Sequence, residues 1–147
     1  MQNLEPFTIE TLLPDLTRAW SADQSIVVFT LTRYSREVID TWLDEVASLV
    51  KQWPGSGSRR LMYHFAVPFK AHAAVSFASR ENRFRTEIYN NLLAFRIALI
   101  FPNAFTVNTA RVLEMRLRTS ASTNLQMNIE FFIDKDAGLE WLLNQPS

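Results

Sequence analysis

A strand followed by a helix, between residues 25 and 53, most constrains how this chain can fold. The run Ile26–Leu31 reads Ile-Val-Val-Phe-Thr-Leu, which predicts a strand that is apolar on both faces. From Ser35 to Trp53, apolar residues recur at the spacing of one helix face. A strand with two apolar faces must be covered on both sides, and an amphipathic helix must pack on an apolar surface. The two elements therefore predict a βα unit at the centre of the fold.

The rest of the chain repeats this alternation of strand and helix. Two short strands near residues 5–13 and 16–20 are predicted to run antiparallel and to lead into Ile26–Leu31. Further patterns predict strands at 61–67, 97–101 and 125–131, and helices at 79–93, at 104–118 and after residue 134. Connections that contain a helix make consecutive strands parallel. We therefore expect an α/β fold with a mainly parallel sheet covered by helices.

Length and composition indicate one domain that spans residues 1–147. The chain is 48% hydrophobic and 20% charged, which is ordinary for a globular protein. Its formal net charge is zero, so no overall field attracts nucleic acid or an anionic membrane, and we expect no nucleic-acid partner. No apolar run approaches the ~20 residues that span a bilayer, and the N-terminus lacks the features of a signal peptide. A cytoplasmic protein without a transmembrane segment is therefore expected.

Two segments carry a family resemblance. They are Arg-Ile-Ala-Leu-Ile-Phe-Pro-Asn at 96–103 and Ile-Glu-Phe-Phe-Ile-Asp-Lys-Asp-Ala-Gly-Leu-Glu-Trp-Leu-Leu at 129–143. Together with the predicted element order, they resemble bacterial SpoIIAA-like proteins, the fold family of the anti-sigma-factor antagonist (STAS) domains. The order is also similar to that of CRAL-TRIO lipid-transfer domains. The resemblance implies a SpoIIAA-like fold, in which N-terminal antiparallel strands precede four βα turns.

The resemblance also implies a regulatory role, but the family's phosphorylation motif has no match in this chain. In antagonist-type STAS domains, a phosphorylated serine or threonine follows an aspartate at the start of the second helix. The matching region, residues 64–79, contains no aspartate. Ser76 and Ser79 are its only hydroxyls, and they are phospho-acceptor candidates outside the expected motif.

Few residues could support catalysis or metal binding. The chain has no cysteine, and its two histidines are His64 and His72. A zinc site needs more nitrogen or sulfur donors, and nucleophilic catalysis needs a nucleophile paired with a base. Residues 55–60, Gly-Ser-Gly-Ser-Arg-Arg, lack the glycine spacing of a phosphate-binding loop and are interpreted as a turn. We therefore expect no enzymatic activity, no metal and no cofactor.

Two groups of side chains after residue 67 are the candidate contact residues. The first group consists of arginines on the two predicted middle helices, which suit phosphate or an acidic partner surface: Arg80, Arg83, Arg85, Arg111 and Arg118. The second group is apolar and lies in the loop 65–77: Phe69, Val75 and Phe77. Exposed apolar surface of this kind marks a subunit contact more often than a cavity. The structural alternatives are a solvated basic helix face and ordinary core positions.

These observations predict a non-enzymatic regulatory or protein-interaction module whose partner is another protein or a second copy of the chain. The alternative is a carrier of a small apolar ligand or a lipid, as the likeness to CRAL-TRIO domains implies. Eleven phenylalanines and four tryptophans could line a groove for such a ligand. Aromatic residues at strand and helix spacing are more often core residues, so the interaction module is the leading hypothesis.

Overall fold

A six-stranded mixed sheet with strand order β1-β2-β3-β4-β5-β6 forms the frame of the protein. The computed structural model describes residues 6–53, 59–68, 95–103, 108 and 128–144. The strands are Thr8–Leu13 (β1), Leu16–Trp20 (β2), Ile26–Leu31 (β3), Arg59–Phe65 (β4), Phe95–Ile100 (β5) and Asn128–Phe132 (β6). The described residues contain two helices of eight or more residues, Arg36–Lys51 (α1) and Lys135–Leu143 (α2).

Strand pairing divides the sheet into an antiparallel part and a parallel part. Strands β1, β2 and β3 pair antiparallel, whereas β3, β4, β5 and β6 pair parallel. This arrangement confirms the predicted α/β class, the N-terminal antiparallel strands and the parallel order that follows them. The last strand lies at a sheet edge, as its alternating sequence predicts. The helices predicted at 79–93 and 104–118 lie outside the described residues.

Several predicted strand boundaries were wrong, and the errors at the starts of β4 and β5 concern arginines. Strand β4 begins at Arg59 rather than at residue 61, and β5 begins at Phe95 rather than at residue 97. The turn predicted for residues 55–60 therefore does not include Arg59 and Arg60. Arg60 pairs in register with Ile26 of β3 and with Arg96 of β5. The neighbouring strands supply backbone partners at these positions, and this pairing overrides the local polar pattern.

Helix α1 covers one face of the sheet, called here the α1 face. The helix begins after Ser35, whose Oγ accepts a hydrogen bond of 3.2 Å from the backbone N–H of Val38. Its buried side makes the main core cluster with alternate residues of the central strands. Trp42 lies edge-on to the ring of Tyr63, with 5.1 Å between centroids. The strand members of this cluster include Val27, Phe29, Leu31, Leu61, Tyr63, Phe65, Phe95 and Ile97.

Helix α2 packs on the opposite face, the α2 face. The intervening strand residues point there, because successive side chains of a strand alternate between faces. They form a second cluster with the helix: Ile26, Val28, Met62, Ala98, Ile100 and Leu142. Gly138 lets α2 approach closely, since a Cβ atom at this position would lie 2.5 Å from Ile100 Cδ1. Both described helix–sheet interfaces are therefore formed by buried apolar side chains.

Tyr63 gives a stability prediction, because its hydroxyl is buried without a hydrogen-bond partner among the described residues. Burial raises the pKa of this hydroxyl well above its ordinary value. An unsatisfied buried polar group costs roughly 1–3 kcal/mol. Tyr63→Phe should therefore raise the free energy of unfolding by about 1 kcal/mol in urea titration. A loss of stability would show that the hydroxyl makes a favourable contact.

Candidate functional site

The outer side of β1, called here the β1 edge, is the first candidate site. Strand β1 pairs with β2, and no described strand pairs with its other side. Residues Thr8 to Thr11 are all exposed, and Ile9 is the most exposed large hydrophobic residue in the described part of the chain, at 68%. An edge strand offers backbone N–H and C=O groups to another strand. The β1 edge therefore combines free pairing capacity with an exposed apolar side chain.

The charge on the β1 edge is neutralised within the chain. Glu10 is the one charged residue of β1, and it lies opposite Arg18 in the sheet. Arg18 Nη2 donates to Glu10 Oε2 at 2.8 Å, and Nη1 donates to Glu45 Oε2 of α1 at 2.6 Å. Natural edge strands are often protected from pairing by charges that face solvent. That protection is weakened here, because the carboxylate of Glu10 is engaged with Arg18.

The second candidate site lies on the α2 face, where Arg60 and Arg96 form what we call the buried arginine pair. The two residues are opposite each other on the parallel strands β4 and β5. Arg60 is 5% exposed and Arg96 is 9% exposed. Arginine is rarely buried to this degree without a charged partner. The α2 face therefore holds two adjacent arginines beside the apolar α2-face cluster.

Helix α2 holds Arg96 by its last turn. Arg96 Nε and Nη2 both donate to the main-chain carbonyl oxygen of Trp141, at 3.2 and 2.8 Å. The guanidinium also lies over the Trp141 ring, with Cζ 3.5 Å from the ring centroid. Burial, and secondly the positive charge of Arg60, lower the pKa of Arg96. Arg96 is thus fixed between the sheet and the carboxyl end of α2.

Arg60 has no comparable set of hydrogen bonds and ring contacts within the described part of the chain. Its Nη1 atom is buried and has no hydrogen-bond partner there. The neighbouring Arg59 projects to the α1 face, where it is exposed and lies 5.7 Å from the centroid of the Phe95 ring. Two arginines therefore lie side by side on the α2 face near the amino ends of β4 and β5, and the more deeply buried one, Arg60, has a side-chain donor without a described partner.

The carboxyl ends of the parallel strands, where α/β proteins commonly bind ligands, carry little chemistry within the described ranges. His64 is half-buried on the α2 face, in register with Thr30 and Ile100. The Tyr34 hydroxyl donates to the carbonyl oxygen of Val67 at 2.5 Å, which ties the segment after β4 to the segment before α1. Among the described residues, no group of three or more histidine, cysteine, aspartate or glutamate side chains could hold a metal ion.

His64 predicts a pH dependence of stability. Burial, and secondly the charge of Lys135, lower the pKa of His64 below its ordinary value of 6.5. The unfolded chain therefore binds this proton more readily than the folded protein. The contribution of His64 to the free energy of unfolding should be complete above about pH 6.5 and should decline as the pH falls below that value. Urea unfolding of wild type and His64→Gln between pH 8 and pH 5 should show a shallower decline for the variant; equal slopes would contradict this.

The residues singled out by sequence lie mostly outside the described ranges. These are the arginine group Arg80, Arg83, Arg85, Arg111 and Arg118, the apolar group Phe69, Val75 and Phe77, the serines Ser76 and Ser79, and His72. Their roles stay predictions. His64 occupies a half-buried position in β4, which agrees with its interpretation as an ordinary polar or core residue.

Sequence reasoning missed the buried arginine pair, although a signal was present. Arg96 lies inside the run Phe-Arg-Ile-Ala-Leu-Ile, and Arg60 directly precedes Leu-Met-Tyr. Aligning the two apolar runs as neighbouring parallel strands would have placed both arginines side by side.

Comparison with known proteins found no relative of this chain. No protein-family model, no curated protein and no solved structure matches the chain. Within the described residues, no helix is long and apolar enough to cross a membrane.

Proposed function

We propose that this protein is a non-enzymatic regulatory or protein-interaction module that self-associates as a homodimer through the β1 edge. The observation that carries the proposal is the unpaired, exposed side of β1 with Ile9 at 68% exposure. Two copies related by a two-fold axis can pair their edge strands antiparallel, so that the same surface serves both subunits. The zero net charge of the chain means that no overall repulsion opposes the approach of a second copy.

The residues of β1 favour one register for this pairing. With the two-fold axis at Ile9, each Ile9 lies opposite its counterpart, and Glu10 lies opposite Thr8 of the second copy. The two Glu10 carboxylates are then not directly opposed, which avoids like-charge repulsion across the strands. Ile9 pairs with Ala19 of β2, and Ala19 packs against the α2-face cluster. The dimer would extend this apolar surface across both subunits.

The proposed module resembles the SpoIIAA-like fold, in accordance with the sequence segments at 96–103 and 129–143. The described strands fit the general α/β class, and the SpoIIAA-like arrangement itself is proposed from the two sequence segments alone. A phospho-switch of the STAS type is not part of the proposal, because the aspartate-serine motif is missing from residues 64–79. The arginine group and the apolar group after residue 67 are the proposed contacts for a further protein partner.

A carrier of a small apolar ligand or lipid is less well supported. The side chains that α1 and α2 place against the sheet are buried and contact apolar strand residues, as in an ordinary core. The close approach at Gly138 leaves no room for a ligand beside Ile100. A carrier would need a binding groove elsewhere in the chain.

Sedimentation equilibrium tests the proposed dimer with a matched pair of variants. Wild type should show a concentration-dependent monomer–dimer equilibrium. Ile9→Lys places a charge on the β1 edge, which is how natural edge strands resist pairing, and it should yield monomer. Ile133→Lys alters the other exposed large hydrophobic residue, at 55% exposure, and should behave like wild type. A wild type that is monomeric throughout, or equal behaviour of the two variants, would contradict the proposal.

The proposed partner surface has its own test. Arg83→Glu and Arg111→Glu reverse charges in the arginine group, whose positive charge would attract an acidic surface. In a pulldown, both variants should retain less of a copurifying protein than wild type does. The β1-edge dimer should be unchanged in both. Unchanged retention would remove these arginines from the proposed surface.

A further inference from the structure

The buried arginine pair presents a charge imbalance that the described contacts only partly resolve. Guanidinium groups stay protonated in proteins, so Arg60 and Arg96 each carry a full positive charge. Residues in register on neighbouring strands are separated by the strand spacing of ~4.8 Å. Like charges on neighbouring strands repel, and burial weakens the solvent screening that would moderate the repulsion. Something must compensate both charges for the pair to be retained at this position.

Arg96 is compensated by α2. The Trp141 carbonyl oxygen belongs to the last turn of this helix, where the helix dipole places partial negative charge. The indole ring covers the guanidinium from one side and adds a favourable cation–π contact.

Arg60 is not compensated in the same way. No described carboxylate forms an ion pair with it, and its Nη1 has no hydrogen-bond partner among the described residues. Arg60 is only 5% exposed, so water does not replace the missing hydrogen-bond partner. An unsatisfied donor on a permanently charged group is the feature that calls for an anion.

We propose that the Arg60–Arg96 pair binds one small oxyanion of the phosphate type, with Arg60 Nη1 as the donor reserved for it. The planar guanidinium fork matches the geometry of phosphate oxygens and forms charge-assisted hydrogen bonds with them. A phosphate carries more negative charge and more acceptor oxygens than a carboxylate, so we expect Arg60 to bind it more tightly. This assignment is independent of the proposed dimer, because Arg60 lies in β4 in the interior of the sheet rather than at the β1 edge.

The position of the pair provides a route for the anion. Arg60 and Arg96 are each the second residue of their strands, so both lie near the end of the sheet. Arg59 is exposed at the same end of the sheet, on the α1 face, and adds positive charge near that end.

Calorimetric titration with inorganic phosphate, in chloride buffer of matched ionic strength, tests the proposal. Wild type should bind phosphate with a stoichiometry of about one per chain, and the melting temperature should rise as the phosphate concentration increases. Arg60→Met keeps an unbranched apolar stem and removes the guanidinium charge. It should weaken phosphate binding at least about tenfold, as loss of a charge-assisted hydrogen bond predicts. Arg36→Met, at an exposed position of α1, is the matched control and should bind like wild type.

Several results would overturn the proposal. These are the absence of phosphate binding to wild type, equal affinities of Arg60→Met and Arg36→Met, and binding of acetate as tight as that of phosphate. A titration with phenyl phosphate in place of inorganic phosphate separates two sources of the same chemistry, since tighter binding of the ester identifies a phosphorylated molecule as the ligand. Should Arg60→Met fail to fold, Arg60→Lys retains the charge without the fork. Wild-type affinity in that variant would exclude Arg60 as the donor.

Discussion

Replacing Phe29 by alanine should lower the free energy of unfolding by about 4 kcal/mol, the largest effect that we expect from a single substitution. Phe29 lies in the middle of β3 and has no solvent-exposed surface. Its ring faces α1, with its centroid 6.2 Å from that of Tyr63. Because β3 joins the antiparallel and parallel parts of the sheet, a cavity at this position cannot be filled by a shift of a peripheral element. The loss should therefore include both the transfer term and the cavity term.

Urea unfolding followed by tryptophan fluorescence measures this loss. Ile133→Ala is the matched control, because it also truncates a large apolar side chain to alanine, but at an exposed position. It should change the free energy of unfolding by no more than about 0.5 kcal/mol. A loss below about 1 kcal/mol for Phe29→Ala would mean that β3 does not lie at the centre of the core.

Gly138→Val should lower the free energy of unfolding by about 2–3 kcal/mol through overpacking between α2 and the sheet. A Cβ atom at this position would lie 2.5 Å from Ile100 Cδ1 and 3.3 Å from Met62 Cε. Ile100 and Met62 are themselves buried in the α2-face cluster, so their side chains have little space into which to move. The two extra methyl groups of valine would force α2 away from β4 and β5.

The sign of the Gly138→Val effect separates sterics from helix propensity. Valine is a better helix former than glycine, so propensity alone would make the variant more stable. Ala137→Val is the matched control, since residue 137 precedes Gly138 in the same helix and is half-buried. It should cost less than about 1 kcal/mol, which is the range of the propensity scale. An increase in the stability of Gly138→Val would show that α2 does not approach the sheet as closely as described.

The strands could be predicted from sequence because their signals are local. The run Ile26–Leu31 is apolar at nearly every position, and the alternating pattern near residue 129 indicates a strand at a sheet edge. The N-cap at Ser35 also has a local cause, since its side chain accepts from a backbone N–H three residues later. Patterns of this kind are set within one element and need no knowledge of its neighbours.

The candidate sites depend on relations between distant elements, which local patterns do not contain. The buried arginine pair requires the register of β4 against β5, which brings together residues 60 and 96. The charge of Glu10 at the β1 edge is neutralised by its contact with Arg18, a residue of another strand. The close packing of α2 on the sheet depends on Gly138 facing Ile100. Sequence reasoning counted arginines along the chain and looked for function after residue 67. The predicted strands began after Arg60 and after Arg96, so both arginines were left outside the sheet.

Disulfide trapping of Ile9→Cys tests the proposed β1-edge dimer most directly. The chain has no cysteine, so a single introduced thiol reports on one position. In the proposed register the two thiols face each other across paired strands, at a Cβ separation of about 4.5–5.5 Å that small local shifts bring into disulfide range. Under mild oxidation Ile9→Cys should form a covalent dimer on a non-reducing gel, while Ile133→Cys should remain monomeric. If Ile9→Cys stays monomeric, or if both variants cross-link equally, the chain does not associate through the β1 edge.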